Sequence, residues 1–258
     1  MNLKPAIKYE LSQIKKTIFI FYLIIYSVVL LSVITPALIK NNSIISNMSG
    51  IEFSSIIFIF ILSLTTFDST MKIFIQNGLN RLTVFVAFIC SVIPTALFMS
   101  LIDSLNSLVI TKIYPYSSLF DQIYNNNFGY KITNQFTILQ SFLWSACIYL
   151  MFATIGFFIA ILYYRMNKWQ SLVFFIGIPS FLSIVLPTLA ANLQDLFYKL
   201  NLFIINCLGI GTNINPYNAM ITFTVISVML SFISYLLIRK TPIKDSKIRG
   251  RFMKNTFS

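Results

Sequence analysis

Six stretches of this chain are apolar for long enough to cross a bilayer, and that leaves few folds open. A hydrocarbon core about 30 Å thick takes roughly 20 residues of helix, and lipid offers no partner for unpaired backbone polar groups. Measured against that ruler, the spans fall at about 17–39, 51–67, 83–110, 137–164, 171–191 and 218–238. The expected fold is an all-α integral membrane protein with six transmembrane helices in a single domain, residues 1–258. The first run is too long for a cleavable signal peptide, and no small-x-small cleavage site follows it.

Composition agrees and removes other classes. With 57% hydrophobic and 10% charged residues, the chain has more apolar surface than one soluble core of its length uses. The net charge of +12 is carried mostly by short segments flanking the apolar runs. That is a membrane pattern and no nucleic-acid face. Cys90, Cys147 and Cys207 are far apart and set among apolar neighbours, as expected of small buried hydrophobes rather than disulfides or a metal site. Histidine is absent, which removes the commonest general base and metal ligand.

Basic residues are retained in the cytoplasm, so they orient the spans. With the N terminus inside, that side holds Lys4, Lys8, Lys15, Lys16, Lys72, Arg81, Arg165, Lys168, Arg239, Lys240, Lys244, Lys247, Arg249, Arg251 and Lys254, fifteen in all. The other side holds four, Lys40, Lys112, Lys131 and Lys199. Both termini are therefore expected in the cytoplasm, with 239–258 as a basic cytoplasmic tail.

The segments between spans then acquire expected roles. In residues 1–16, Leu3, Ile7, Leu11 and Ile14 share one arc beside Lys4, Lys8 and Lys15. This suits either a short amphipathic N-terminal helix in the inner interface or a plain basic flank, with Glu10 intruding on the arc. Outside, 111–136 and 192–217 are long loops. The second contains LFYKLNLFIINCLGIG, expected to form a re-entrant or interfacial hairpin turning at Gly209 and Gly211, or a short helix packed on the bundle.

Catalysis finds little support. Without histidine, an intramembrane protease would need paired aspartates. Asp103 alone lies within a long apolar run, and about 1.5 Å of rise per residue from Thr83 puts it near the outer interface. It is expected at a solvated helix end, with a polar pair to Asn106 as the alternative. No GxxxxGK[ST] phosphate loop occurs, so ATP is not expected to be bound in that manner here. No catalytic, cofactor or metal residues are assigned.

The cytoplasmic loop 68–82 is the most distinctive stretch. Asp68 and Lys72 at helical spacing favour a short helix, with Asp68 or Ser69 as N-cap. An apolar patch of Met71, Phe74 and Ile75 follows. Gly78 permits a sharp exit, and Arg81 opens the next span. From Phe67 to Phe85 the pattern F-x-x-x-M-x-x-F-x-x-N-G-L-N-R-x-x-x-F resembles the coupling segment of permease subunits of ABC type-2 exporters. Asn77, Gly78, Leu79, Asn80 and Arg81 match in order, with Asn80 where serine or threonine is more usual. The outline of the whole chain resembles that family too.

The resemblance implies a half-transporter in a bacterial cell membrane. Two permease subunits, identical or different, would pair, each resting on a separate ATPase that hydrolyses the ATP. The ATPase contact would comprise Phe74, Ile75, Gln76, Asn77, Gly78, Leu79 and Arg81. Two other classes stand beside it: a membrane-embedded immunity or accessory protein, and a channel component with no ATPase. The spans carry few fixed charges, which leans toward an amphipathic or hydrophobic cargo.

Overall fold

Every fourth residue from Ala6 to Tyr22, namely Ala6, Glu10, Ile14, Ile18 and Tyr22, is buried. This stripe crosses the expected border between an interfacial segment and the first span. The computed structural model describes residues 3–39, 48–113, 116–125, 135–210 and 214–239. Within it α1, Leu3–Ile39, is one helix of 37 residues, about 55 Å at the usual rise. The separate amphipathic N-terminal helix is therefore not found. From Ala6 to Tyr22 one face packs on the neighbouring helices, no glycine or proline interrupts residues 6–35, and Pro5 sits in the first turn where its missing N–H costs little. Glu10 lies on the buried face, 1% exposed.

The other helices are α2 (Ile51–Gln76), α3 (Arg81–Ile113), α4 (Gln135–Arg165), α5 (Lys168–Ser180), α6 (Leu186–Asn192), α7 (Gln194–Cys207) and α8 (Pro216–Arg239). A π-helical turn, Phe181–Val185, joins α5 to α6. Among the described residues six helical stretches are long and apolar enough to cross a membrane, the fifth running Trp169–Leu189 through that turn. The number agrees with expectation and suggests a multi-pass membrane protein.

No short separate helix begins at Asp68 or Ser69, because α2 runs unbroken to Gln76. Hydroxyls that favour caps elsewhere are satisfied inside it. Thr66 donates to the Leu62 carbonyl at 2.7 Å, and Ser69 and Thr70 both donate to that of Thr66, at 3.0 and 2.7 Å. The Asp68 and Lys72 side chains, and the basic tail beyond Arg239, lie outside the described residues.

Close helix packing in lipid favours small residues, and α4 supplies them. Ala153, Gly156 and Ala160 are buried. A Cβ on Gly156 would stand 2.5 Å from the Phe60 carbonyl oxygen and 3.2 Å from Ser63 Cβ of α2. One residue on, Phe157 stacks on Phe88 of α3 with ring centroids 3.7 Å apart and meets Phe67 of α2 edge-on at 5.4 Å.

Two contacts bring three segments to one end of the bundle, here called the turn end. Tyr9 near the start of α1 meets Phe74 of α2 edge-on at 6.1 Å, and Arg81 Nη1 donates to the Arg239 carbonyl at 3.1 Å. The first residues of α1 and the last of α8 thus flank the α2–α3 turn.

The opposite end carries a cap. Strand β1, Met48–Ser49, pairs in parallel with β2, Tyr116–Ser117. Ser118 Oγ donates to Asp121 Oδ2 at 2.7 Å and accepts the Asp121 N–H at 3.0 Å, starting a π-helical turn, Asp121–Asn125. Phe120 and Tyr124 are buried there against Trp144 of α4, which also meets Phe223 of α8. Part of the expected long loop is therefore folded onto the bundle.

Within 192–217 the chain forms the helix α7, Gln194–Cys207, none of whose described residues is buried. After α7 the chain turns at Gly209 (φ +65°), and Thr222 Oγ1 of α8 donates to the Cys207 carbonyl at 3.3 Å. Gly211 lies outside the described residues. The fifth span stands apart, with none of the described residues of its apolar window buried and Trp169 81% exposed. The three thiols are free. Cys147 and Cys207 are half-buried, but Cys90 is exposed, because it faces away from the packed side of α3 that carries Ala87 and Ser91.

Gly156 yields a direct test. Gly156→Ala should lower the unfolding midpoint of the detergent-solubilised chain by an amount equivalent to about 1–3 kcal/mol. Gly177→Ala, whose added Cβ meets nothing within 4 Å, should not lower it.

Candidate functional site: the α2–α3 turn and a buried carboxylate node

Gly78 determines how α2 ends. The Leu79 N–H donates to the Phe74 carbonyl and the Gly78 N–H to that of Ile75, both at 2.9 Å, which together form a Schellman motif. This requires φ of +73° at Gly78, where a side chain would be strained. Asn77 Nδ2 adds a bond to the Ile73 carbonyl at 2.8 Å. The Asn80 carbonyl already accepts the Thr83 N–H at 2.9 Å, so α3 begins at once. The tip cannot move independently of the two helices that make it.

The expected contact residues divide on this tip. Gln76, Asn77 and Gly78 are exposed, and Ile75, Leu79 and Arg81 are half-buried. Phe74 is buried in the core beside Tyr9. Arg81 reaches sideways to the last carbonyl of α8, placing a cation at a helix C terminus where the macrodipole favours it.

Near the capped end lies a second polar group, and it revises the expectation for Asp103. That residue is 2% exposed, not a solvated helix end. Its Oδ1 accepts the Tyr22 hydroxyl of α1 at 2.9 Å, and its Oδ2 accepts that of Tyr149 of α4 at 2.5 Å. Tyr22 also lies 3.2 Å from the Met99 carbonyl. The Asp103–Asn106 pair is replaced by a ladder between helices, since Asn106 Oδ1 accepts the Tyr26 hydroxyl at 2.8 Å. Tyr22 and Tyr26, four apart on α1, thus meet Asp103 and Asn106, three apart on α3.

Glu52 of α2 completes the node. It is buried, and its Oε2 accepts the Tyr116 hydroxyl of the cap at 2.6 Å. Burial first, and then the Glu52 carboxylate, push the Tyr116 phenol well above its ordinary range, so it stays protonated and donates. Ser55, on the same face of α2, is fully buried with its hydroxyl beside the Asp103 carboxylate and the Tyr22 hydroxyl. Sequence reasoning assigned none of Tyr22, Glu52, Ser55, Tyr116 and Tyr149 to a site. The i, i+4 tyrosine pair opposite an i, i+3 polar pair was the one signal available.

No family model, curated protein or solved structure matches this chain. Fold and geometry define a class, a helical bundle with six apolar stretches of membrane-spanning length, closed at one end by a folded cap and ending at the other in a rigid turn.

Substitutions at three positions probe these features. Tyr149→Phe removes a donor from a buried carboxylate and should cost about 1.5–3 kcal/mol in thermal or denaturant unfolding, whereas Tyr26→Phe, at an exposed position, should cost under about 1 kcal/mol. At the turn, Gly78→Val should cost about 1–2 kcal/mol and Gly78→Asn distinctly less.

Proposed function

We propose that this chain is the membrane-spanning permease subunit of an ATP-binding cassette exporter, coupled through the α2–α3 tip to a separate ATPase subunit. The observation that carries the reading is the tip itself: a short, exposed, conformationally fixed turn between two long apolar helices. Its sequence is the one that resembles the family's coupling segment. The cytoplasm is assigned to the turn end by the excess of lysine and arginine on that side.

Force applied at such a tip has a defined route. Gln76, Asn77 and Gly78 meet the ATPase, with Ile75 and Leu79 at the margin. Phe74 transmits displacement inward to α1 through Tyr9, and Arg81 transmits it to α8 through the Arg239 carbonyl. This chain holds no nucleotide; the partner hydrolyses ATP. A second permease subunit, identical or different, completes the path across a bacterial cell membrane. The α5–α6 span, bare within this chain, receives its packing from lipid or from that second subunit. The outer cap closes the path at rest, and the cargo is amphipathic or hydrophobic.

Co-purification of the chain with its ATPase subunit tests the reading. Gly78→Trp, Arg81→Glu and the surface change Gln76→Glu should each reduce the ATPase recovered at least about tenfold, a loss of about 1.4 kcal/mol in affinity. An immunity, accessory or channel protein would tolerate all three. Unchanged recovery together with unchanged export sinks the coupling role.

A further inference from the structure

We propose that the groove between α1 and α3 binds one anionic phospholipid, with its headgroup at Lys15 and an acyl chain lying along the groove toward Tyr26. The groove encloses about 680 Å³. Ile18, Tyr22 and Thr95 line its floor and are buried. Phe19 and Phe98 stand at its rim, 70% and 56% exposed, so no described part of this chain covers it. The lining divides into one charge and one apolar surface. The Thr95 hydroxyl donates to the Ser91 carbonyl at 2.7 Å, that of Tyr22 to Asp103 and that of Tyr26 to Asn106. Among the described residues Lys15 alone brings a charge to the lining, and no aspartate or glutamate joins it. Lys8 and Lys16, also exposed, extend the positive charge along α1, whereas Glu10 is turned into the packed side.

Length and charge together select the occupant. Lys15 and Tyr26 stand about 16 Å apart along α1 at the usual rise, close to half of a hydrocarbon core about 30 Å thick. That is the depth of one leaflet. A molecule with a negative charge at one end and a chain of that reach is a phospholipid of the leaflet on the turn end, where α1 begins. A soluble anion gains nothing from the apolar floor, and an uncharged hydrocarbon gains nothing from Lys15. Bulk lipid is already apolar, so the groove contributes shape and dispersion rather than a hydrophobic driving force. Discrimination between headgroups falls to the lysine, which at an anionic surface is worth roughly a factor of five. The site is independent of what the bundle transports, and failure of the exporter reading leaves it standing.

Brominated acyl chains quench tryptophan on contact, and this gives the test. The full chain is reconstituted in phosphatidylcholine vesicles that contain either brominated phosphatidylglycerol or brominated phosphatidylcholine at equal mole fraction. Phe98→Trp places the reporter in the groove. Trp169→Phe removes the exposed native tryptophan and leaves Trp144, 2% exposed, as a constant background. Phe232→Trp in the same background is the control, since Phe232 is 62% exposed on α8 and about two turns before Arg239, another basic helix end. Phosphatidylglycerol should displace phosphatidylcholine at position 98 with a relative affinity of about five or more, well above that at position 232. Lys15→Gln should bring the two positions to the same value, and Lys15→Arg should keep them apart. All of these substitutions fall at exposed positions, so the fold is kept. Equal preference at the two positions before Lys15 is changed, a preference that survives Lys15→Gln, or no quenching at position 98 by either lipid overturns the proposal.

Discussion

A carboxylate inside an apolar bundle has to be surrounded by donors, and the surroundings of Asp103 organise the capped half of this molecule. Tyr22 binds α1 to α3 through it, and Tyr149 binds α4 to α3. Glu52 extends the same polar group to α2 and, through Tyr116, to the cap. Dispersion between apolar side chains is nondirectional and would tolerate several rotations of each helix. Hydrogen bonds to a fixed carboxylate tolerate few, and in a medium without water the alternative is an unsatisfied group. The node therefore fixes which faces of α1 and α4 turn inward.

The turn end obeys a different rule. There the connection between α2 and α3 is so short that backbone geometry alone sets it, with Gly78 supplying the one conformation that side chains resist. Phe74 and Arg81 then tie the turn to α1 and α8. The two ends are joined mechanically through α4, whose small residues and Phe157 hold α2 and α3 at close range.

Much of the fold was legible in the sequence because lipid restricts the choices so severely. Apolar length gives the six spans directly, and the asparagine-glycine pair gives the turn. What could not be read depends on three-dimensional partners. Glu10 looked like a defect in an amphipathic arc, yet it belongs to a buried stripe whose spacing of four appears only when α1 is aligned against its neighbours. Distance along α3 suggests a solvated environment for Asp103, and helical rise says nothing about the tyrosines of α1 and α4 that meet it. Ser69 and Thr70 suggested a helix start, but their hydroxyls close back onto α2 instead.

The isolation of the fifth span has a thermodynamic consequence. Two parts of a protein influence each other only through an interface whose free energy changes with state. Helices α1–α4 and α8 share the core, so a change at the node or at the α2–α3 turn is felt across all five. Among its described residues the Trp169–Leu189 span has none buried in its apolar window. In a single chain it behaves as a passenger, and only a neighbour packed against it could make it a participant.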